Sequence, residues 1–133
     1  MRFLLDTNII SEAGKKRPSG KVLNWLLEHD AACAVPSIAL AERFHGAYLS
    51  KQKEAQLKKV RDFERDFADR ILPFDTTVAE AWGEYVARPA LKRQPRSYPD
   101  TQIAAIALAY GLTVITRNTE DFPEVQTLDP FED

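Results

Sequence analysis

The hydrophobic period of this chain keeps switching along its whole length, and few folds accept such a pattern. Short apolar runs at 2–5, 32–35, 71–74, 112–116 and 125–128 have strand length and are bounded by Asp, Pro, Gly or Asn. Between them, apolar residues recur at helical spacing: Val22, Leu23, Leu26 and Leu27; Leu40, Phe44, Ala47 and Tyr48; Val78, Ala81, Trp82, Tyr85 and Val86. A long polar helix is expected over 53–69. Strands separated by helices pair in parallel, because parallel neighbours need crossover connections. The expected fold class is therefore α/β, with a mostly parallel central sheet and helices on both faces.

The late part of the chain adds a sharp boundary. Pro95 and Pro99 flank Arg96, Ser97 and Tyr98, and two prolines four apart cannot share a helix interior. A new helix is expected to begin at once, with Pro99 at its first position and Asp100 in the first turn. IAAIALAYG then runs apolar until Gly111 can cap the end. Because this helix is apolar nearly all round, it belongs at the centre of the fold.

At 133 residues, 44% hydrophobic and 29% charged, the chain reads as one domain spanning 1–133. No stretch approaches the roughly 18 apolar residues of a membrane span, and no signal-peptide pattern opens the chain, so the expected setting is cytoplasmic, away from any membrane. The single cysteine, Cys33 in AACAVP, can form no internal disulfide and reads as a small buried strand residue. The net charge of −2 gives no overall basic footprint for nucleic acid. Locally, RPALKRQPR carries Arg88, Lys92, Arg93 and Arg96 with no acid. That stretch is either a solvated helix end or a phosphate-contacting patch.

In open α/β sheets, ligands gather outside the carboxyl ends of the strands. Asp6 ends the apolar run Phe3, Leu4, Leu5, where it can cap a helix starting near Thr7 or Asn8 or serve chemistry. Thr116, Arg117, Asn118, Thr119, Glu120 and Asp121 follow another strand. Glu42 lies in PSIALAERFHGAYL, with Ser37 as the expected N-cap. It shares a partly apolar stripe with Ile38 and Leu49, so it either pairs with Arg43 or a neighbouring helix, or points into a polar cleft. Asp100 needs no function as a first-turn acid, yet it opens the most apolar helix. Several carboxylates brought together repel and raise one another's pKa unless a cation neutralises them. A hard divalent ion such as magnesium or manganese prefers oxygen ligands, takes one or two carboxylates, and pairs naturally with phosphate oxygens. His29 and His45 form no His-rich metal set.

Four stretches taken in order, LLDTNIIS, SIALAER, PDTQIAAIALAYG and VITRNTEDF, resemble the PIN-domain family, and within it the ribonuclease toxins of VapBC-type toxin–antitoxin modules, including the plasmid-stability and Fit branch. The resemblance covers essentially the whole chain and implies a three-layer α/β/α sandwich. It implies a magnesium-dependent endoribonuclease, with manganese able to substitute, that leaves a 5′-phosphate and a 3′-hydroxyl. Carried over by position, Asp6 and Asp100 would be direct metal ligands and Glu42 the second acid, which binds metal through water or orients the nucleophile. Some relatives have Asp where this chain has Asn118, and others keep the Asn with the acid in the following DF. The fourth acid is accordingly placed at Asp121, with Thr116 and Asn118 as polar support. A basic rim of Lys92, Arg93 and Arg96 would guide RNA. The resemblance also implies a homodimer and a cognate antitoxin, and the apolar helices around Leu23–Leu27 and Phe44–Leu49 are surfaces another chain could share.

Three other readings are open to the same residues. A phosphatase of the haloacid dehalogenase type would need a second Asp two positions after Asp6, where Asn8 stands. A receiver domain would need a strand-end Lys where VITRN supplies Arg117. A catalytically inactive PIN-like module binding RNA or protein would share the fold but would not need all four acids.

Overall fold

The computed structural model describes residues 1–132. Strand β1 (Phe3–Leu5) leads into helices α1 (Thr7–Ala13) and α2 (Gly20–His29), then β2 (Cys33–Pro36), α3 (Ser37–Leu49) and α4 (Lys53–Asp66). The chain continues through β3 (Ile71–Leu72), α5 (Thr76–Val86), α6 (Pro89–Arg93), α7 (Tyr98–Tyr110), β4 (Thr113–Ile115) and β5 (Thr127–Leu128). The five strands form one sheet in the order β3-β2-β1-β4-β5. Every pair is parallel, so the expected mostly parallel sheet is wholly parallel.

Side-chain alternation along these strands divides the core in two. Leu4 lies opposite Ala34 on β2 and Val114 on β4. These three face the layer built from Val78 and Tyr85 of α5, Leu91 of α6 and Ile103–Ala107 of α7. Phe3, Leu5, Cys33, Val35 and Ile115 point the other way, against Ile9 and Ile10 of α1 and Val22 of α2. Successive strand residues address opposite faces, and that is why both faces are covered by helix. A smaller cluster of Leu40, Ala47, Leu57 and Val60 joins α3 to α4.

The capping chemistry refines several boundaries. Ser97, with Tyr98 rather than Pro99 as the first helical residue, caps α7 by accepting from Asp100 N at 3.3 Å. Gly111 adopts φ +66°, the left-handed conformation that costs glycine least, and so ends α7. Ser37 does not cap α3: Pro36 occupies that position and no side chain caps the end. The polar helix α4 stops at Asp66, where a short 3-10 turn (Ala68–Arg70) leads into β3.

The sheet order places β1 at the centre. The chain first adds β2 and β3 on one side of β1, then returns to place β4 and β5 on the other. The two crossovers diverge between β1 and β4, and this topological switch point is where parallel sheets open a crevice. Asp6 and Thr116 directly follow these two strands.

Candidate active site

Asp6 does two things at once. Its backbone nitrogen donates to Ile115 O at 3.0 Å, extending the β1–β4 ladder by one step. Its Oδ1 accepts from Thr7 N at 2.7 Å, which caps α1. Its Oδ2 accepts from Thr116 Oγ1 at 2.8 Å and from Asn8 Nδ2 at 3.2 Å. The cap and the strand-end acid suggested by the sequence are therefore one carboxylate, held at both oxygens and 7% exposed.

Thr116, fully buried, is the residue beneath it. Its Oγ1 also accepts from Asn118 N at 3.0 Å and from Asn8 Nδ2 at 3.3 Å. A hydroxyl has one proton to give and two lone pairs to fill, so these partners oblige it to donate to Asp6. Asn8 completes the clamp by accepting from Arg117 N at 3.4 Å. The two strand ends at the switch point are thereby stitched together.

Four more acids line the same cleft: Glu12 of α1, which is paired with Lys15, and three others. Glu42, on α3, accepts from Thr7 Oγ1 at 2.7 Å, which ties α3 to the start of α1. The ion pair with Arg43 does not form; Arg43 instead donates to Ile10 O at 3.4 Å and lies over the Phe63 ring. Asp100 enters from the first turn of α7, and Asp121 from a 3-10 turn (Thr119–Asp121) after β4. Together with Asn118 these acids line a cleft of about 440 Å³.

The electrostatics reflect the crowding. Burial is the main force pushing the Asp6 carboxyl above the ordinary carboxylate range. The Thr116 and Thr7 hydrogen bonds act against it, while the charges of Asp100 and Glu42 add to it. Asp100 is raised as well, again chiefly by burial and further by Asp121 and Glu42, with Arg96 opposing. The acids are thus one mutually repelling group.

The basic residues are arranged differently from the expected rim. Arg96 lies close enough to favour the charged form of Asp100, but its guanidinium donates to Gln94 O at 2.6 Å and Glu120 O at 3.0 Å. Lys92 and Arg93, on α6, do not line the acid cleft. The cations that do are Lys15 and Arg117. Lys15 pairs with buried Glu12 at 2.8 Å, and Arg117 stacks over Phe131 at 4.3 Å. Lys15 had a faint signal in the short basic run GKKR, and Arg117 in its place directly after a strand-end threonine. Asn8, whose sequence signal was only its place in the turn behind Asp6, proves to hold the carboxylate directly.

An all-oxygen donor set of this kind suits a hard divalent cation. Among the described residues no three or more His, Cys, Asp or Glu side chains form a ready-made metal cage. A magnesium-like ion needs none, because it keeps several waters and takes only one or two carboxylates. The residues present fit such an ion.

A wholly parallel sheet with an acidic, oxygen-lined cleft at its switch point defines the chain as an α/β protein. Residues 3–128 match the PIN domain, and the chain belongs to the PIN-domain family. It is similar to the plasmid stability protein StbB of Pseudomonas syringae pv. tomato, at 34% identity over 98% of this chain and 99% of that protein. It is also similar to the tRNA(fMet)-specific endonuclease VapC of Shigella flexneri, at 30% identity over 94% of this chain and 92% of that protein. The crystal structure of FitAcB from Neisseria gonorrhoeae superposes with a TM-score of 0.86 at 32% identity, covering 98% of this chain and 99% of that one.

Proposed function

We propose that this chain is a divalent-metal-dependent endoribonuclease acting as the toxin of a toxin–antitoxin pair. The observation that carries the reading is the convergence of Asp6, Glu42, Asp100 and Asp121 on one cleft at the β1/β4 switch point. The names of the relatives, which include ribonucleases and a tRNA endonuclease, agree with it.

Asp6 and Asp100 would hold magnesium or manganese, with Asp121 and Asn118 beside them and Glu42 reaching the ion directly or through water. When bound, the ion would neutralise the acids, lower the pKa of a coordinated water and offset charge on the phosphate. The protein's own part is orientation. Thr116 and Thr7 N fix both oxygens of Asp6, so it presents one geometry to any ligand. Thr7 occupies Glu42 Oε1, leaving Oε2 to accept a proton from an attacking water. Lys15 and Arg117 would neutralise phosphates flanking the scissile bond.

The antitoxin would be a protein covering part of the toxin surface, and the solved relatives include VapBC complexes. Exposed Leu27, Tyr48 and Leu49 are apolar groups that such a partner or a second copy would bury. No helix among the described residues is long and apolar enough to cross a membrane, and a toxin that cuts cellular RNA would act in the cytoplasm. An inactive binding module would share the fold but would not require four acids in one cleft.

The test is RNA cleavage by the purified chain in magnesium, in manganese and in excess chelator. Cleavage should appear only with metal and disappear in Asp6→Asn and Asp100→Asn while circular dichroism stays native. Cleavage that survives chelation, or full activity in both variants, would sink the proposal.

A further inference from the structure

Beside the acid cleft, at the first turn of α7, lies a second hollow of different chemistry. Tyr98, two residues before Asp100, stacks on Trp82 of α5 with ring centroids 5.6 Å apart and planes inclined by 24°. The indole is held in place, because Trp82 Nε1 donates to Thr101 Oγ1 at 2.9 Å and that hydroxyl donates to Tyr98 O at 3.0 Å. Tyr98 nevertheless remains 59% exposed. Beside the pair lies a cavity of about 360 Å³, with Leu91 and Pro95 in its wall and Lys92 and Arg96 at its edge.

These features point to one kind of occupant. A single exposed aromatic ring is ordinary on a protein surface. A ring backed by a second, hydrogen-bonded ring is a preformed platform that loses little freedom on binding a flat ligand. The cations beside it come from RPALKRQPR, a run without an acid in a chain of net charge −2. Arg88 of that run is paired with Glu84 and Glu124, but Lys92 and Arg96 line the hollow and no acid among the described residues does, so its edge suits a polyanion. Arg96 also reaches Glu120 O, in the turn that carries Asp121, so the hollow adjoins the acid cleft.

We infer that the Tyr98–Trp82 hollow is a single-strand subsite that stacks one unpaired nucleobase of the RNA next to the cleavage point, with Lys92 and Arg96 on the adjoining phosphates. Aromatic stacking with a cationic track is how single-stranded nucleic acid is held without base-edge readout. The subsite rests on the ribonuclease reading and adds the strand state of the substrate to it. It also gives Lys92 and Arg96 a place on the RNA path outside the acid cleft.

The test uses the full chain carrying Asp6→Asn, so that RNA is bound but not cut, and a short fluorescein-labelled single-stranded oligoadenylate read by anisotropy. Tyr98→Ala should weaken binding about five- to a hundredfold, the loss of one stacked base, and Tyr98→Phe should stay within about twofold. An abasic nucleotide scanned along the oligomer should weaken binding at one position in the parent. It should cost nothing further in Tyr98→Ala. The abasic scan on the parent needs no substitution at Tyr98, so it decides the matter even where Tyr98→Ala misfolds. Unchanged affinity in Tyr98→Ala, or an abasic scan without a sensitive position, overturns the subsite. A change in sedimentation with RNA affinity intact overturns it too, by assigning the hollow to a protein interface. RNA bound through Tyr98 but never cleaved by the metal-loaded wild-type chain would instead overturn the ribonuclease reading and leave the subsite standing.

Discussion

The two halves of α7 have the same backbone and opposite tasks. From Ile103 to Ala107 every side chain is buried, in the cluster that joins Leu4, Ala34 and Val114 of the sheet to α5. One turn earlier, Asp100 faces the acid cleft with its carboxyl raised by burial and by its neighbours' charges. The apolar half gains free energy from leaving water, whereas the acidic half loses it by bringing carboxylates together. A helix can carry both because the rigid half holds the strained half in place.

Asp100→Asn should give the largest effect and the clearest separation between the halves. Partners of metal ligands commonly cost about 10–100-fold when removed, so loss of the ligand should lower RNA cleavage at least about a hundredfold. Stability should move the other way. An acid whose folded pKa lies above its unfolded value makes the folded state bind more protons, so metal-free stability falls as pH rises between those two values. Removing the charge relieves that penalty above the window, and metal-free Asp100→Asn should melt no lower than wild type near neutral pH. Added magnesium should raise the melting temperature of wild type and not of the variant. A variant that melts lower without metal, or still responds to magnesium, would place Asp100 with the structural half.

The opposite substitution is Ile106→Ala. Ile106 is fully buried, and its truncation should cost about 2–5 kcal/mol by urea unfolding. Cleavage per folded molecule should stay within about twofold, because nothing in the cleft is touched. A large fall in that specific rate would show that the halves are coupled rather than divided.

A subtler change tests the link between core and cleft. Thr116→Val keeps the volume near Asp6 but removes the hydroxyl that favours its charged form. Asp6 should then ionise only at higher pH, and the acidic limb of the cleavage profile should move upward. Asn118 N and Asn8 Nδ2 also lose their acceptor, adding a stability loss of about 1–3 kcal/mol. An unmoved limb would mean that Asp6 is not the group that titrates there.

Much of the architecture could be read because it rests on local chemistry. The five strand positions, the apolar α7 and the Gly111 cap follow from period, proline placement and glycine conformation. The four acids could be named in order only as a family pattern, since no single one of them announced a site. Other points were settled only by partners that distant elements supply. Of the two placements open to Glu42, the cleft and Thr7 won over Arg43, and Ser37 became a helical residue instead of the expected cap. Lys92 and Arg93 lie off the acid cleft, where Lys15 and Arg117 stand instead.

An alternating α/β chain with acids at element ends is written locally, because hydrophobic period and helix capping act over a few residues. What Asp6 became depended on long-range packing. Its chain neighbours Thr7 and Asn8 supply two hydrogen bonds to its carboxylate, while Thr116, 110 residues away, supplies the third. The sheet order put β4 rather than β2 across the switch point from Asp6, and such pairing is set by burying both faces of the sheet, a property of the whole chain. The same packing made a pinned platform of Tyr98 by placing Trp82 beneath it.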